Sequence, residues 1–95
     1  MKTIQQVANI TLIKGKFEPT DAKDLVMNFI NSKINYHKLK SFSLLERSGK
    51  RDKHSEDRIT ELTDSRNELV EIIKEANDNG LKVKIDSTIK IRLVK

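Results

Sequence analysis

Residues 81–94 read LKVKIDSTIKIRLV, and they decide the fold because apolar and polar residues alternate along them almost without error. Successive side chains of a β-strand point to opposite faces of a sheet, so this segment has one apolar and one polar face. The apolar face consists of Leu81, Val83, Ile85, Ser87, Ile89, Ile91 and Leu93. The pattern predicts a long strand of an antiparallel sheet that packs on helices with one side only. A tight turn at Asp86 and Ser87, which would give two short strands, is the alternative.

The segment before this strand predicts a long helix from Asp52 or Ser55 to Asn79, with Gly80 as the left-handed residue beyond its end. Its apolar residues follow alternating spacings of three and four, with Arg66 at a position that an apolar residue would otherwise take: Ile59, Leu62, Leu69, Ile73 and Ala76. Additional apolar residues, Val70 and Ile72, widen this stripe, which favours a core-facing helix over an isolated coiled coil.

The N-terminal half predicts a strand from about Val7 to Phe17, with Gly15 as a bulge or strand end. A helix then starts near Pro19, which suits the first helical position. Its apolar stripe consists of Ala22, Leu25, Val26, Phe29 and Ile30. From residue 34 to 49 the pattern loosens into a loop or short helix, where a capping box at Ser43 is followed by Gly49.

The resulting element order is β-α-(α)-α-β, in a single α+β domain that spans residues 1–95. A small antiparallel sheet of the terminal strands is predicted to pack on two main helices. The shared core is predicted to contain Leu69, Ile73, Val83, Ile85, Ile89 and Ile91, and the phenylalanines Phe17, Phe29 and Phe42 are also predicted to be core residues. Because a two-stranded sheet is a weak platform with exposed edges, we expect two copies to pair as a homodimer.

Composition favours a soluble cytoplasmic protein. Apolar residues make up 36% of the chain and charged residues 35%, and there is no cysteine. The chain therefore has neither a disulfide nor a thiolate metal site. The N-terminal residues lack the continuous apolar core of a signal peptide, and no apolar run is long enough for a membrane span.

Charge is segregated along the chain, whose formal net charge is +5. The segment 33–53 has seven basic and two acidic residues, whereas 61–78 has six acidic and two basic residues. The last strand is basic again through a set that we call the β2 cations: Lys82, Lys84, Lys90 and Arg92. Basic surfaces of this kind attract phosphate or acidic partners.

No catalytic, cofactor or metal site is predicted. Gly49 and Lys50 lack the other residues of a phosphate-binding loop. Neither His37 nor His54 has a second histidine or a cysteine at ligand spacing, and the acidic residues that follow His54 are typical helix caps. The carboxylates of the long helix, spaced along one side of it, are expected to form a solvated face.

The group most like a binding site is formed by Tyr36, His37, Lys38 and Lys40, which combine an aromatic ring, a titratable ring and cations. Such a group can stack a nucleic-acid base or hold a phosphate. The simpler interpretation, which we favour, has Tyr36 packed under a loop while His37 and the lysines point outward.

The stretch Ser32-Lys33-Ile34-Asn35-Tyr36-His37-Lys38-Leu39-Lys40, with Phe17-Glu18-Pro19 before it, resembles a group of short uncharacterised bacterial proteins. The resemblance implies a self-contained bacterial domain. It transfers no functional residue to this chain.

Three hypotheses for function follow. The first is a non-enzymatic interaction protein, homodimeric through its strands, that binds a protein partner. The second is a nucleic-acid-binding protein that uses the segment 33–53 or the β2 cations. The third is an enzyme with a site at a dimer interface, a hypothesis that no residue pattern in the sequence supports.

Overall fold

Four elements make up residues 7–94, the part of the chain that the computed structural model describes. They are β1 (Val7–Phe17), α1 (Pro19–Ser48), α2 (Lys53–Asp78) and β2 (Val83–Arg92). The terminal strands pair antiparallel, so the α+β class and the position of the sheet are confirmed. The prediction of a single domain over 1–95 includes residues 1–6 and Lys95, which lie outside the described residues.

The two strands keep one apolar face along their whole length because β1 has a bulge. Ile10 pairs with Ile89 and Ile13 pairs with Ser87, and the register shifts between Thr11 and Ile13. The extra residue, Leu12, reverses the alternation of β1. Residues of opposite parity therefore reach the same face. The predicted bulge or strand end at Gly15 is wrong: the bulge lies three residues earlier, at Leu12, and β1 continues to Phe17. The alternative of a turn at Asp86 and Ser87 does not occur, because β2 runs through both residues.

The first helix is longer than predicted. It runs unbroken to Ser48, so the loop or separate short helix predicted within 34–49 is wrong. The stop comes at Gly49, which is left-handed with φ 70° and donates its backbone N–H to the Leu45 carbonyl oxygen at 2.8 Å. Nothing in 34–48 is a strong helix breaker, so packing of one face against α2 is enough to continue the helix.

The core lies between the two helices, which form an antiparallel pair. Its buried residues are Ala22, Ile30, Ile34, Leu69 and Ile73, with Phe17, Val83 and Ile85 of the sheet packed against them. Arg66, which interrupts the apolar stripe of α2, donates a hydrogen bond to the Asn31 side chain at 2.8 Å.

The molecule is flat and open. Its extents are 49 × 45 × 14 Å and its radius of gyration is 17.5 Å, against about 12 Å for a compact domain of this length. The strands pack against the helix core through Phe17, Val83 and Ile85, Ile13 farther along β1 is also buried, and the strands then extend beyond the helices. We call this pair of strands the ribbon, and the half that carries Ile10, Ile89 and Ile91 its free half.

This shape overturns part of the predicted core. Leu69 and Ile73 are buried and Val83 and Ile85 are half-buried, but Ile89 and Ile91 are both 43% exposed. The helices do not reach that far along the ribbon, so alternation alone overestimated the burial. Phe29 and Phe42 are also exposed and only Phe17 packs against the core, because α1 turns the first two away from α2.

Candidate functional site

The structure does not keep the predicted group of Tyr36, His37, Lys38 and Lys40 together. It buries His37 and exposes Tyr36, which is the reverse of the interpretation that we favoured. His37 is 6% exposed and Tyr36 is 53% exposed. Successive helical residues are turned by about 100°, so continuing α1 through this stretch places His37 on the face of Ile30 and Ile34. Tyr36 is turned toward solvent, where the Lys33 ammonium lies 5.0 Å from its ring centroid.

His37 joins α1 to the start of α2 through a buried polar chain. Asp52 is the N-cap of α2, and its carboxylate accepts hydrogen bonds from the Ser55 backbone N–H at 3.1 Å and the Ser55 hydroxyl at 2.8 Å. These two bonds lower the pKa of the Asp52 carboxyl. Since the hydroxyl proton goes to the carboxylate, Ser55 Oγ accepts from His37 Nδ1, 3.3 Å away.

The environment of His37 disfavours protonation of its ring. Burial lowers its pKa, and so do the nearby charges of Lys33, Arg58, His54 and Lys40. The buried Nε2 of the ring has no hydrogen-bond partner among the described residues.

This chain of residues does not have the connectivity of a catalytic triad. In a triad the carboxylate orients the histidine and the serine faces the substrate. Here Asp52 binds the serine, and Ser55 is fully buried. Its geometry fits a structural link between the helices. The sequence did suggest Asp52 and Ser55 as helix starts, but the contact with His37 depends on the helix pairing.

The acidic residues of α2 remain on the surface. An open groove of about 360 Å³ lies among the carboxylates of its C-terminal half, lined in part by Glu68, Glu71 and Glu75. Within residues 7–94 there is no group of three or more histidine, aspartate or glutamate side chains that could hold a metal ion.

Basic residues collect on the polar face of the ribbon. Lys84, Lys90 and Arg92 share that face, and pairing brings Lys14 opposite Asp86 and Lys16 opposite Lys84. Lys14 and Lys16 could not be assigned to this face from the sequence, because their position opposite β2 depends on the strand register that follows the bulge. Lys82 precedes β2 and forms an ion pair with Glu18 at 3.5 Å. Lys38 and Lys40 lie on α1, about 30 Å along the helix from its start, so the predicted cations form two separate groups.

The described residues, 7–94, leave the apolar face of the free half of the ribbon uncovered. Ile10, Ile89 and Ile91 are each 43–44% exposed. Among residues 7–94 each strand has one neighbour, so the outer edges of β1 and β2 have backbone groups without a strand partner. An exposed apolar face beside open strand edges is typical of an association surface.

Comparisons with protein-family models, curated proteins and solved structures found no match for this chain. None of the helices described has a stretch long and apolar enough to cross a membrane.

Proposed function

We propose that this protein is a non-enzymatic interaction protein that forms a homodimer through its ribbon and binds a protein partner. The observation that carries the proposal is the uncovered apolar face of the free half, with Ile10, Ile89 and Ile91 nearly half exposed. Association that removes this apolar surface from water would stabilise the dimer by about 25 cal/mol for each Å² buried.

The outer edge of β2 is the better edge for pairing. β1 contains the bulge at Leu12, and bulges disrupt the regular ladder that a further strand needs. β2 is a regular strand of 10 residues, Val83–Arg92. Antiparallel pairing of β2 with its copy would give a four-stranded sheet of order β1-β2-β2-β1, with a two-fold axis near Ser87 and Thr88.

This arrangement would also cover the free half. Antiparallel pairing sets Val83 and Ile85 of the partner copy beside Ile89 and Ile91 of the first. Since the helices pack over Val83 and Ile85, the partner's helices would lie over the exposed face. The same dimer contact would therefore pair the open edge of β2 and bury the apolar face of the free half.

A protein partner is supported by the end of the helical pair that lies away from the ribbon. Phe42 and Leu45 are 60% and 50% exposed there, within the basic segment 33–53. Apolar side chains surrounded by cations fit an acidic protein surface. Binding is favoured over catalysis, because Ser55 is buried and residues 7–94 contain no catalytic constellation. We further propose that the protein acts in the cytoplasm.

Nucleic-acid binding is the second candidate, and one observation favours it. Lys16 and Lys84 lie directly opposite each other on the ribbon, and like charges in that position are destabilising. A polyanion laid along the polar face would relieve this repulsion. We rank it second because the same lysines also protect an exposed ribbon from wrong pairing.

The homodimer is tested by comparing Ile89→Asp with Asn9→Asp in solution. Both residues are exposed in the single chain, but Ile89 lies on the apolar face of β2, whereas Asn9 lies on the polar face of β1 opposite Lys90, away from the outer edge of β2. Sedimentation should show a smaller mass for Ile89→Asp than for the parent, and an unchanged mass for Asn9→Asp. Equal masses for the three proteins would refute the ribbon interface.

The protein partner is tested by attaching the protein to a support and identifying what it retains from an extract. Phe42→Glu should abolish retention of a specific acidic protein, and Asn9→Asp should not. Equal retention by Phe42→Glu would show that this end of the helical pair is not the binding surface.

A further inference from the structure

We propose that α1 has a second self-association surface, along which the helical pairs of two copies pack antiparallel. This surface lies on the side of α1 that α2 leaves open. It is separate from the ribbon and does not depend on it.

The surface is a stripe with the spacing of a coiled-coil seam. Its residues follow one another at intervals of four, three, four and three: Leu25, Phe29, Ser32, Tyr36 and Leu39. This spacing keeps side chains on one line of a helix. Leu25 is half-buried, but Phe29, Tyr36 and Leu39 are 45%, 53% and 70% exposed. Within residues 7–94, this helix seam is therefore left largely uncovered.

The centre of the stripe allows close approach. Ser32 is a small residue, and a groove of about 180 Å³ runs between Leu25, Asn28, Phe29 and Ser32. The large side chains lie on both sides of this centre. An antiparallel copy related by a two-fold axis at Ser32 would place Leu25 near Leu39 of the other chain.

Charge selects a second copy, in the antiparallel orientation, as the occupant. Because Asn31 of α1 lies beside Arg66 of α2, the half of the helical pair away from the ribbon is residues 33–64, which has eight basic and six acidic side chains. The half near the ribbon, residues 18–31 and 65–78, has seven acidic and three basic side chains. Two copies side by side in opposite directions bring each basic half against an acidic half. A parallel pair would bring like charges together.

The orientation is tested by cross-linking, which is clean because the chain has no cysteine. Leu25→Cys and Leu39→Cys are made separately and mixed under mild oxidation. An antiparallel pair should give disulfide-linked dimers in the mixture and little in either variant alone. Links within Leu25→Cys alone would show a parallel pair, and no link anywhere would show that the stripe does not pair; either result overturns the proposal.

A mass measurement separates this surface from the ribbon. In the Ile89→Asp background, sedimentation should still show dimers, which Leu39→Glu should convert to the 11.0 kDa chain. Leu45→Glu is the control, because Leu45 is 50% exposed on α1 but off the stripe. Raising the salt concentration should weaken the dimer by about tenfold or more. If Ile89→Asp is already monomeric, or Leu39→Glu leaves its dimer intact, the α1 surface is refuted whatever the ribbon does.

Discussion

The substitution Ile73→Ala should destabilise the fold strongly, because this side chain lies at the centre of the helix core. Ile73 is 5% exposed and belongs to the buried cluster with Ile30, Ile34 and Leu69. Removing its outer carbons loses their burial and leaves a cavity between two rigid helices. Isoleucine-to-alanine changes at such sites cost about 2 to 5 kcal/mol, a large part of the stability of a small domain.

The neighbouring residue provides the control for this prediction. Ile72 is 47% exposed on the same helix, so Ile72→Ala should cost about 1 kcal/mol or less. For a domain of this size each kcal/mol shifts the melting temperature by about 4 to 8 °C. Thermal unfolding followed by circular dichroism, at one protein concentration, should separate the two variants by about 4 to 30 °C. Equal melting temperatures would refute the assignment of the core.

Three further predictions concern the charged and polar groups. Burial lowers the pKa of His37, so the unfolded chain binds a proton at this ring more readily than the folded chain does, and the stability of the protein should fall as the pH drops below about 6.5. The stability of His37→Asn, measured by urea unfolding, should depend less on pH than that of the parent. An equal pH dependence of the two proteins would contradict this prediction. Asp52→Ala should cost about 1 kcal/mol by removing the cap of α2, whereas Asp64→Ala, on the exposed part of that helix, should cost much less in the same assay. Changing all β2 cations to glutamine should increase aggregation at low salt without loss of a ligand. If the parent instead binds DNA or RNA in a salt-sensitive way and this variant does not, nucleic-acid binding is the better account of the function.

The sequence predicted the elements well where local chemistry determines them. Pro19 starts α1, Gly49 ends it with a positive φ, and Gly80 with φ 64° follows α2. The alternation in 81–94 correctly indicated one strand with an apolar and a polar face. These features depend on the backbone preferences of single residues and on periodicity, both of which are visible in the sequence.

The sequence could not predict how far each element extends over its neighbours. Alternation shows that Ile89 has an apolar side, but not that the helices end before reaching it. Likewise Tyr36 and His37 are adjacent in sequence, and only the continuation of α1 decides which of them is buried. The contact between His37 and Ser55 requires the pairing of two helices, for which no local pattern exists.

The predictions of a cytoplasmic location and of a bacterial source stay predictions. The absence of a cofactor or metal also stays a prediction.

The molar mass of the unmodified protein in solution tests the central claim most directly. Sedimentation equilibrium at micromolar concentration should give a mass of at least two chains of 11.0 kDa, because the free half of the ribbon and the edge of β2 need a partner. The mass should decrease on dilution as the copies separate. A single 11.0 kDa species at every concentration would contradict the account and leave the exposed ribbon without a function.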